Sequence, residues 1–287
     1  MTTLRSQLLG KKLRALRDER SLTIEQVAQA LHISVAKLSR IELGHVRIDW
    51  PTMKALLDEY AIAADSSERE ALHEWAKKAQ QRGWWTAYTE AFGGPFLDLI
   101  SAEETASRID TYEIQLVPGL LQTREYALAT VESSRAWETR EDVERFVEVR
   151  MNRQAVLRRA NPLQMWVILG EAALRQQVGG AKVMRAQLSH LADLVEELPN
   201  LTIQVLPFNV GETVGLGGAF VNLEFELNLG GQEVTRVVYV ETAPTGFWLD
   251  DPQHVTHYVN VYKHLGAAAL SPEKSKKLLK QIAKEPT

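Results

Sequence analysis

The chain has 287 residues with 33 Lys and Arg against 37 Asp and Glu, a net charge of −4, and is 45% hydrophobic. That length favours two domains, and the composition is that of an ordinary globular chain with apolar material for a core in each. It has no cysteine, which excludes disulfides, thiolate metal sites and cysteine nucleophiles and suits a reducing cytoplasm, the expected location. The N-terminal stretch MTTLRSQLLGKKL lacks an apolar signal core, and no apolar run approaches the roughly 18 residues of a membrane span, so no membrane association is expected.

Charge is unevenly placed. Residues 1–48 hold nine Lys and Arg and four Asp and Glu, a net of +5, and the remainder holds 24 and 33, a net of −9. A basic N-terminal segment joined to an acidic remainder points to a polyanion-binding module with a second part of another kind.

Five short helices are predicted in residues 1–82. Leu9, Leu13 and Leu16 mark the buried side of the first, with Lys11, Lys12, Arg14 and Arg17 on its other sides. Thr23 is a good N-cap for the second, Gln26 completes a capping box, and Val27, Ala28 and Leu31 form its inner face. The third covers 35–42, opened by Ser34 and ended by Gly44. Stepping roughly 100° per residue puts Leu38 and Ile41 inside, Ala36 and Arg40 at the centre of the opposite face, Lys37 and Ser39 on its margins and Val35 at the boundary. Asp49 and Pro51 open the fourth helix, and Ser66 or Ser67 the fifth, striped by Leu72, Trp75 and Ala79.

The aromatic segment RGWWTAYTEAFGGPF (82–96) is too apolar for a free linker and is expected to open the second domain, packed down. Beyond it, helices are predicted at 123–134 and 138–159, a buried strand at 165–169 and a helix at 181–198. Strands follow at 201–208, 218–227 and 235–242, then helices at 252–268 and 272–284. The expected fold is therefore multidomain, an all-α five-helix domain over 1–82 and an α+β domain over 83–270, followed by a basic helix over 271–287.

TIEQVAQALHISVAKLSRIELG has the layout of a helix-turn-helix: a capped helix, a small residue (Ala28) at the crossing, a tight turn and a second capped helix. It resembles the lambda-repressor-like, xenobiotic-response-element family, with SRIE and Gly44 at the expected distance from Thr23 and Ala28. His32 stands where that family usually has a turn glycine, so it must accept a left-handed or nearby conformation at a cost of roughly 1 kcal/mol. Val35 and Ala36 stand where relatives often carry an amide, which removes bidentate adenine recognition there. Arg40 remains able to fork onto guanine O6 and N7, Val35 and Ala36 can meet thymine methyls, and Lys37 can reach a base or a phosphate.

The resemblance implies phosphate contacts for Thr23, Gln26, Ser34 and Ser39 near helix N-termini, and for Lys11, Arg14, His45 and Arg47. It also implies that Arg17 and Glu42 join the first helix to the recognition helix. Its members usually bind as dimers, so a homodimer on an inverted-repeat DNA operator is expected.

The rest of the chain, through SRIDTYEIQLVPGLLQTREYA, VEVRMNRQAVL, GEAALRQQVGG, VLPFNVG and VVYVET, resembles actinobacterial WhiJ-like regulators. These are described as antitoxin-like, with a long C-terminal domain of unassigned activity, often beside a gene for a small partner protein. The expected function is a DNA-binding transcriptional regulator whose second domain senses a small protein partner or ligand. The alternative is an antitoxin-like protein that sequesters a small partner and binds DNA for autoregulation. Tyr112, Leu120, Leu121 and Tyr126 around the Pro118–Gly119 turn are the candidate anchors for such a partner, or else core.

No enzyme activity, cofactor or metal is expected. His254 and His257 lack further ligands, GLGG (215–218) reads as a turn before a strand, Glu171 as a helix-start carboxylate, and 274–284 as a solvated lysine face.

Overall fold

The computed structural model describes residues 4–80, 83–89, 92, 94–134, 139–210, 217–228, 232–242 and 245–285. The chain divides into two compact units, residues 1–105 with 225–235, and residues 106–224 with 236–287.

The first unit begins with α1 (Leu4–Glu19), α2 (Ile24–Ala30), α3 (Val35–Glu42), α4 (Trp50–Glu59) and α5 (Ser67–Gln80). The caps lie where the sequence puts them. Thr23 and Gln26 close a reciprocal capping box on α2, and Ser34 accepts from the Lys37 amide. Asp49 accepts from Thr52 with Pro51 in the first turn of α4. Each supplies acceptors to amides that would otherwise lack partners, worth about 1 kcal/mol apiece. Inside, Leu13, Leu16, Val27, Ala28, Leu38, Ile41, Met53, Leu56, Leu57, Tyr60 and Leu72 are buried.

The aromatic segment belongs to this unit. A 3₁₀ turn over Trp84–Tyr88 leads to α6 (Gly94–Glu103), and Trp85 and Phe92 are buried. The Trp75 indole donates to the Arg5 carbonyl at 3.0 Å, the Arg5 guanidinium lies over Trp85 and donates to Thr105, and Trp84 donates to Glu104. The segment expected to open the second domain thus covers the start of α1, because its rings bury more apolar surface there than a linker could.

The second unit holds most of a sheet of strand order β3-β2-β1-β4-β5-β6. Its strands are β1 (Arg108–Glu113), β2 (Gln164–Gly170), β3 (Leu201–Leu206), β4 (Phe220–Asn228), β5 (Gln232–Thr242) and β6 (Thr245–Leu249). β1, β2 and β3 run parallel, with Ile109 opposite Met165 and Val167 opposite Ile203, and β4 is antiparallel to β1. Parallel neighbours require crossovers. These are α7 (Arg124–Ser133) with α8 (Arg140–Asn152), then α9 (Glu171–Arg175) with α10 (Ala181–Glu197).

One face of the sheet places Tyr112, Ile168, Leu206, Phe220 and Val238 under Tyr262 and Leu265 of α11 (Pro252–Ala268). The edge of β3 is covered, since Leu270 donates to Val205 O and Ser275 Oγ accepts from Val205 N, both within 2.9 Å. An edge closed in this way offers no template for another strand. Ser275 opens the buried side of α12 (Pro272–Ile282), so the last helix is part of the second unit rather than a separate tail. Glu171 lies in the first turn of α9, accepting from the Phe208 amide, and pairs with Arg175. The first half of GLGG (Gly215 and Leu216) falls outside the described residues.

Burial pushes the Asp98 carboxyl on α6 up to about 6. A carboxyl raised in the folded state binds its proton more tightly there than in the unfolded chain, so stability falls as pH rises from about 4 through 6. Asp98→Asn is expected to stabilise the protein at pH 7.5 by about 1 kcal/mol, allowing for partial solvent screening, and to have no effect near pH 3.5. Thermal melts of both proteins across that range check it.

Candidate nucleic-acid interface

α3 is fixed from beneath and open above. Leu38, Ile41 and Glu42 are buried, while Val35, Ala36 and Arg40 are exposed, Val35 at 41%. Lys37 and Ser39 lie between, as the helical wheel requires. The cavity below α3, lined by Leu9, Leu13 and Ile41, holds only about 20 Å³, so the inner face is closely packed.

Three devices set the position of the helix. The first is an ion pair. Arg17 Nε meets Glu42 Oε1 at 2.7 Å and Nη2 meets Oε2 at 3.0 Å, with side chains 10% and 5% exposed. The third Arg17 nitrogen, Nη1, donates to the Leu22 carbonyl and to Asp18. The Glu42 hydrogen bond raises the guanidinium above its ordinary value, holding it charged. Burial lifts the nearby Tyr60 phenol as well, and its hydroxyl has no hydrogen-bond partner among the described residues.

The second device is the end of α3. Gly44 sits at φ 70°, its amide donates to Ile41 O, and His45 N donates to Arg40 O. This is a Schellman closure, and a Cβ at Gly44 would lie 2.5 Å from the backbone of Ser6 and Gln7. The third device was not foreseen in the sequence. Gly10 of α1 lets the carbonyls of Ile41 and Glu42 approach to 2.6 and 2.5 Å of where a Cβ would stand. A glycine inside the otherwise good helix pattern of α1 was the available signal.

The turn before α3 closes like its end. His32 takes φ 52°, its amide donates to Gln29 O, and Ile33 N donates to Ala28 O. The left-handed residue that the motif demands is therefore present, on a histidine.

Around this face the phosphate candidates are distributed as follows. Lys11, Arg14, Thr23, Gln26, Ser34, His45 and Arg47 are exposed, and Ser39 is half-buried. Ser34 and Thr23 already spend one acceptor on their caps, and Arg14 lies 3.7 Å from Asp18. Arg40 Nε donates to the Ala36 carbonyl at 3.2 Å, and the side chain is exposed. Trp50, 44% exposed, lies against His73 in a tilted arrangement with ring centroids 3.8 Å apart.

Residues 96–281 match the family model described as Domain of unknown function (DUF5753), and residues 8–72 match one described as Helix-turn-helix domain. The chain belongs to the DUF5753 family. Neither the curated proteins nor the solved structures include a match to it. The helix-turn-helix match runs from within α1 to within α5 and supports a DNA-binding regulator. Among the described residues no helix is long and apolar enough to cross a membrane, and no group of three His, Asp or Glu could hold a metal.

In the DUF5753 region the candidate partner anchors are core. Tyr112, Leu120, Leu121 and Tyr126 are at most 4% exposed, so they present no docking surface. The Pro118–Gly119 turn is held by a polar network instead. Gln122 donates to Val117 O, Gln187 to Leu121 O and Gln154 to Gly119 O, while Tyr126 accepts from Val117 N. Apolar side chains pack inward because the backbone of the turn is satisfied internally.

His32→Gly removes a Cβ from a left-handed residue. The expected result is a gain of roughly 1 kcal/mol in stability without change in DNA affinity. Urea unfolding and an anisotropy titration with duplex DNA measure the two.

Proposed function

We propose that the protein is a sequence-specific DNA-binding transcriptional regulator of the lambda-repressor-like, xenobiotic-response-element kind, within the WhiJ-like group. The observation that carries this is the open outer face of α3, with Arg40, Val35 and Ala36 exposed above a helix pinned at both ends. Nothing in a stability argument calls for that face. A major groove would accept it, with Arg40 forked on guanine and the two small apolar side chains against thymine methyls.

Exposed cations and polar caps around α3 match a positioning set for phosphates: Lys11, Arg14 and Arg47 as charges, Thr23, Gln26, Ser34, Ser39 and His45 as hydrogen-bonding groups. The net of +5 over residues 1–48 would supply salt-dependent affinity. A homodimer would place two such helices about 34 Å apart on an inverted repeat. The second unit would carry the regulatory input. The burial of the 112–126 anchors moves any partner surface elsewhere.

The test selects an operator from random duplexes and measures affinity by anisotropy. Arg40→Ala should cost about 1–3 kcal/mol on the selected sequence and relax preference at one base pair. Arg14→Ala or Lys11→Ala should weaken all duplexes alike and reduce the salt slope by about 1. An Arg40→Ala protein with unaltered sequence preference would remove the assignment of base readout to α3.

A further inference from the structure

Away from α3, the second unit carries a groove lined by charged side chains of both signs. It holds about 510 Å³ between α10 and α12, within the size range of small-molecule sites. Glu196, near the C-terminal end of α10, holds both Lys276 and Lys280 at 2.7 Å. Arg185, near the other end of α10, shares a smaller cavity of about 110 Å³ with Ile282 and Glu285. The two helices therefore run antiparallel, which places Arg185 at the Lys284 end of the groove and Asp193 at the Lys280 end.

The two ends differ in chemistry. At one end Arg185 and Lys284 face the same space, and neither makes an ion pair or side-chain hydrogen bond among the described residues. Glu285, the nearest carboxylate in sequence, is engaged by Arg175 at 3.2 Å. Two like charges turned into one groove repel each other, and an anion placed between them would relieve that repulsion. Along the groove Ser189 offers a hydroxyl, Ala186, Ala192 and Ala283 contribute small apolar lining, and Asp193 offers an acceptor at the far end.

We propose that this groove binds a phosphorylated small molecule. Its phosphate would lie between Arg185 and Lys284, and its hydroxylated body along the alanine lining with a donor toward Asp193. A planar guanidinium grips phosphate oxygens in pairs, a lysine adds a point charge, and a serine hydroxyl can complete the shell. An extended polyanion such as duplex DNA fits less well, since Asp193 lies at the far end, where the Lys280 charge is already engaged by Glu196. The site stands independently of the DNA-binding reading of α3.

Calorimetric titration of the whole protein with adenosine monophosphate and with inorganic pyrophosphate tests this. Both probes should bind, and Arg185→Ala or Lys284→Ala should each weaken them about tenfold, the loss of one charged hydrogen bond. Lys277→Ala, which removes an exposed α12 lysine outside the groove, should leave both affinities unchanged. Since Arg185 and Lys284 are exposed, circular dichroism should show every variant folded. The proposal is overturned if neither probe binds at millimolar concentration, or if Lys277→Ala weakens binding as much as the groove variants. It is equally overturned if the groove variants weaken only the binding of random duplex DNA.

Discussion

The first unit is organised around one buried ion pair. Arg17 and Glu42 make two near-parallel hydrogen bonds at 2.7 and 3.0 Å beneath α3. Taking both charges out of water is costly, and their attraction offsets that cost only with good geometry and further hydrogen bonds. Here Leu22 O and Asp18 supply the remaining acceptors. The arrangement commits α1 and α3 to one relative position. Replacing the pair with apolar side chains could keep stability, yet would give up the directional constraint that two forked hydrogen bonds impose.

That constraint explains several otherwise separate features. Gly10 is needed because the pair draws the end of α3 so close that a methyl group would strike the Ile41 and Glu42 carbonyls. Gly44 is needed because the same end must turn sharply against Ser6 and Gln7. With the inner face held, the outer residues Val35, Ala36 and Arg40 are free of structural duty. A face fixed to a scaffold and unoccupied by packing suits recognition, because little ordering cost remains to be met on binding.

The legible parts of the sequence were those with local physical signatures. Caps at Thr23, Ser34 and Asp49 follow from short-range rules and lie where those rules put them, and His32 takes the left-handed turn that the family resemblance implies. The helical stripes of α1 to α3 and the apolar run of β2 were equally readable. β1 was missed because RIDTYE alternates Arg108, Asp110 and Tyr112 with Ile109, Thr111 and Glu113, so neither face reads as apolar. Its place beside β2 and β4 comes from long-range pairing. The aromatic segment was recognised as packed, but its partner lies some 80 residues earlier, at Arg5. The Pro118–Gly119 turn read as either core or a docking surface, and core holds because three glutamines satisfy its backbone, one of them 66 residues from the carbonyl it meets.

The account rests on Arg17 and Glu42 acting as one unit, and a double-mutant cycle by urea unfolding of the whole protein addresses that directly. Arg17→Met or Glu42→Leu alone should each cost roughly 3–5 kcal/mol, since each strands a buried charge, whereas the double variant should recover most of that loss. Two single variants that unfold with wild-type midpoints, or a double variant whose loss is the sum of the singles, would contradict the central role given to this pair.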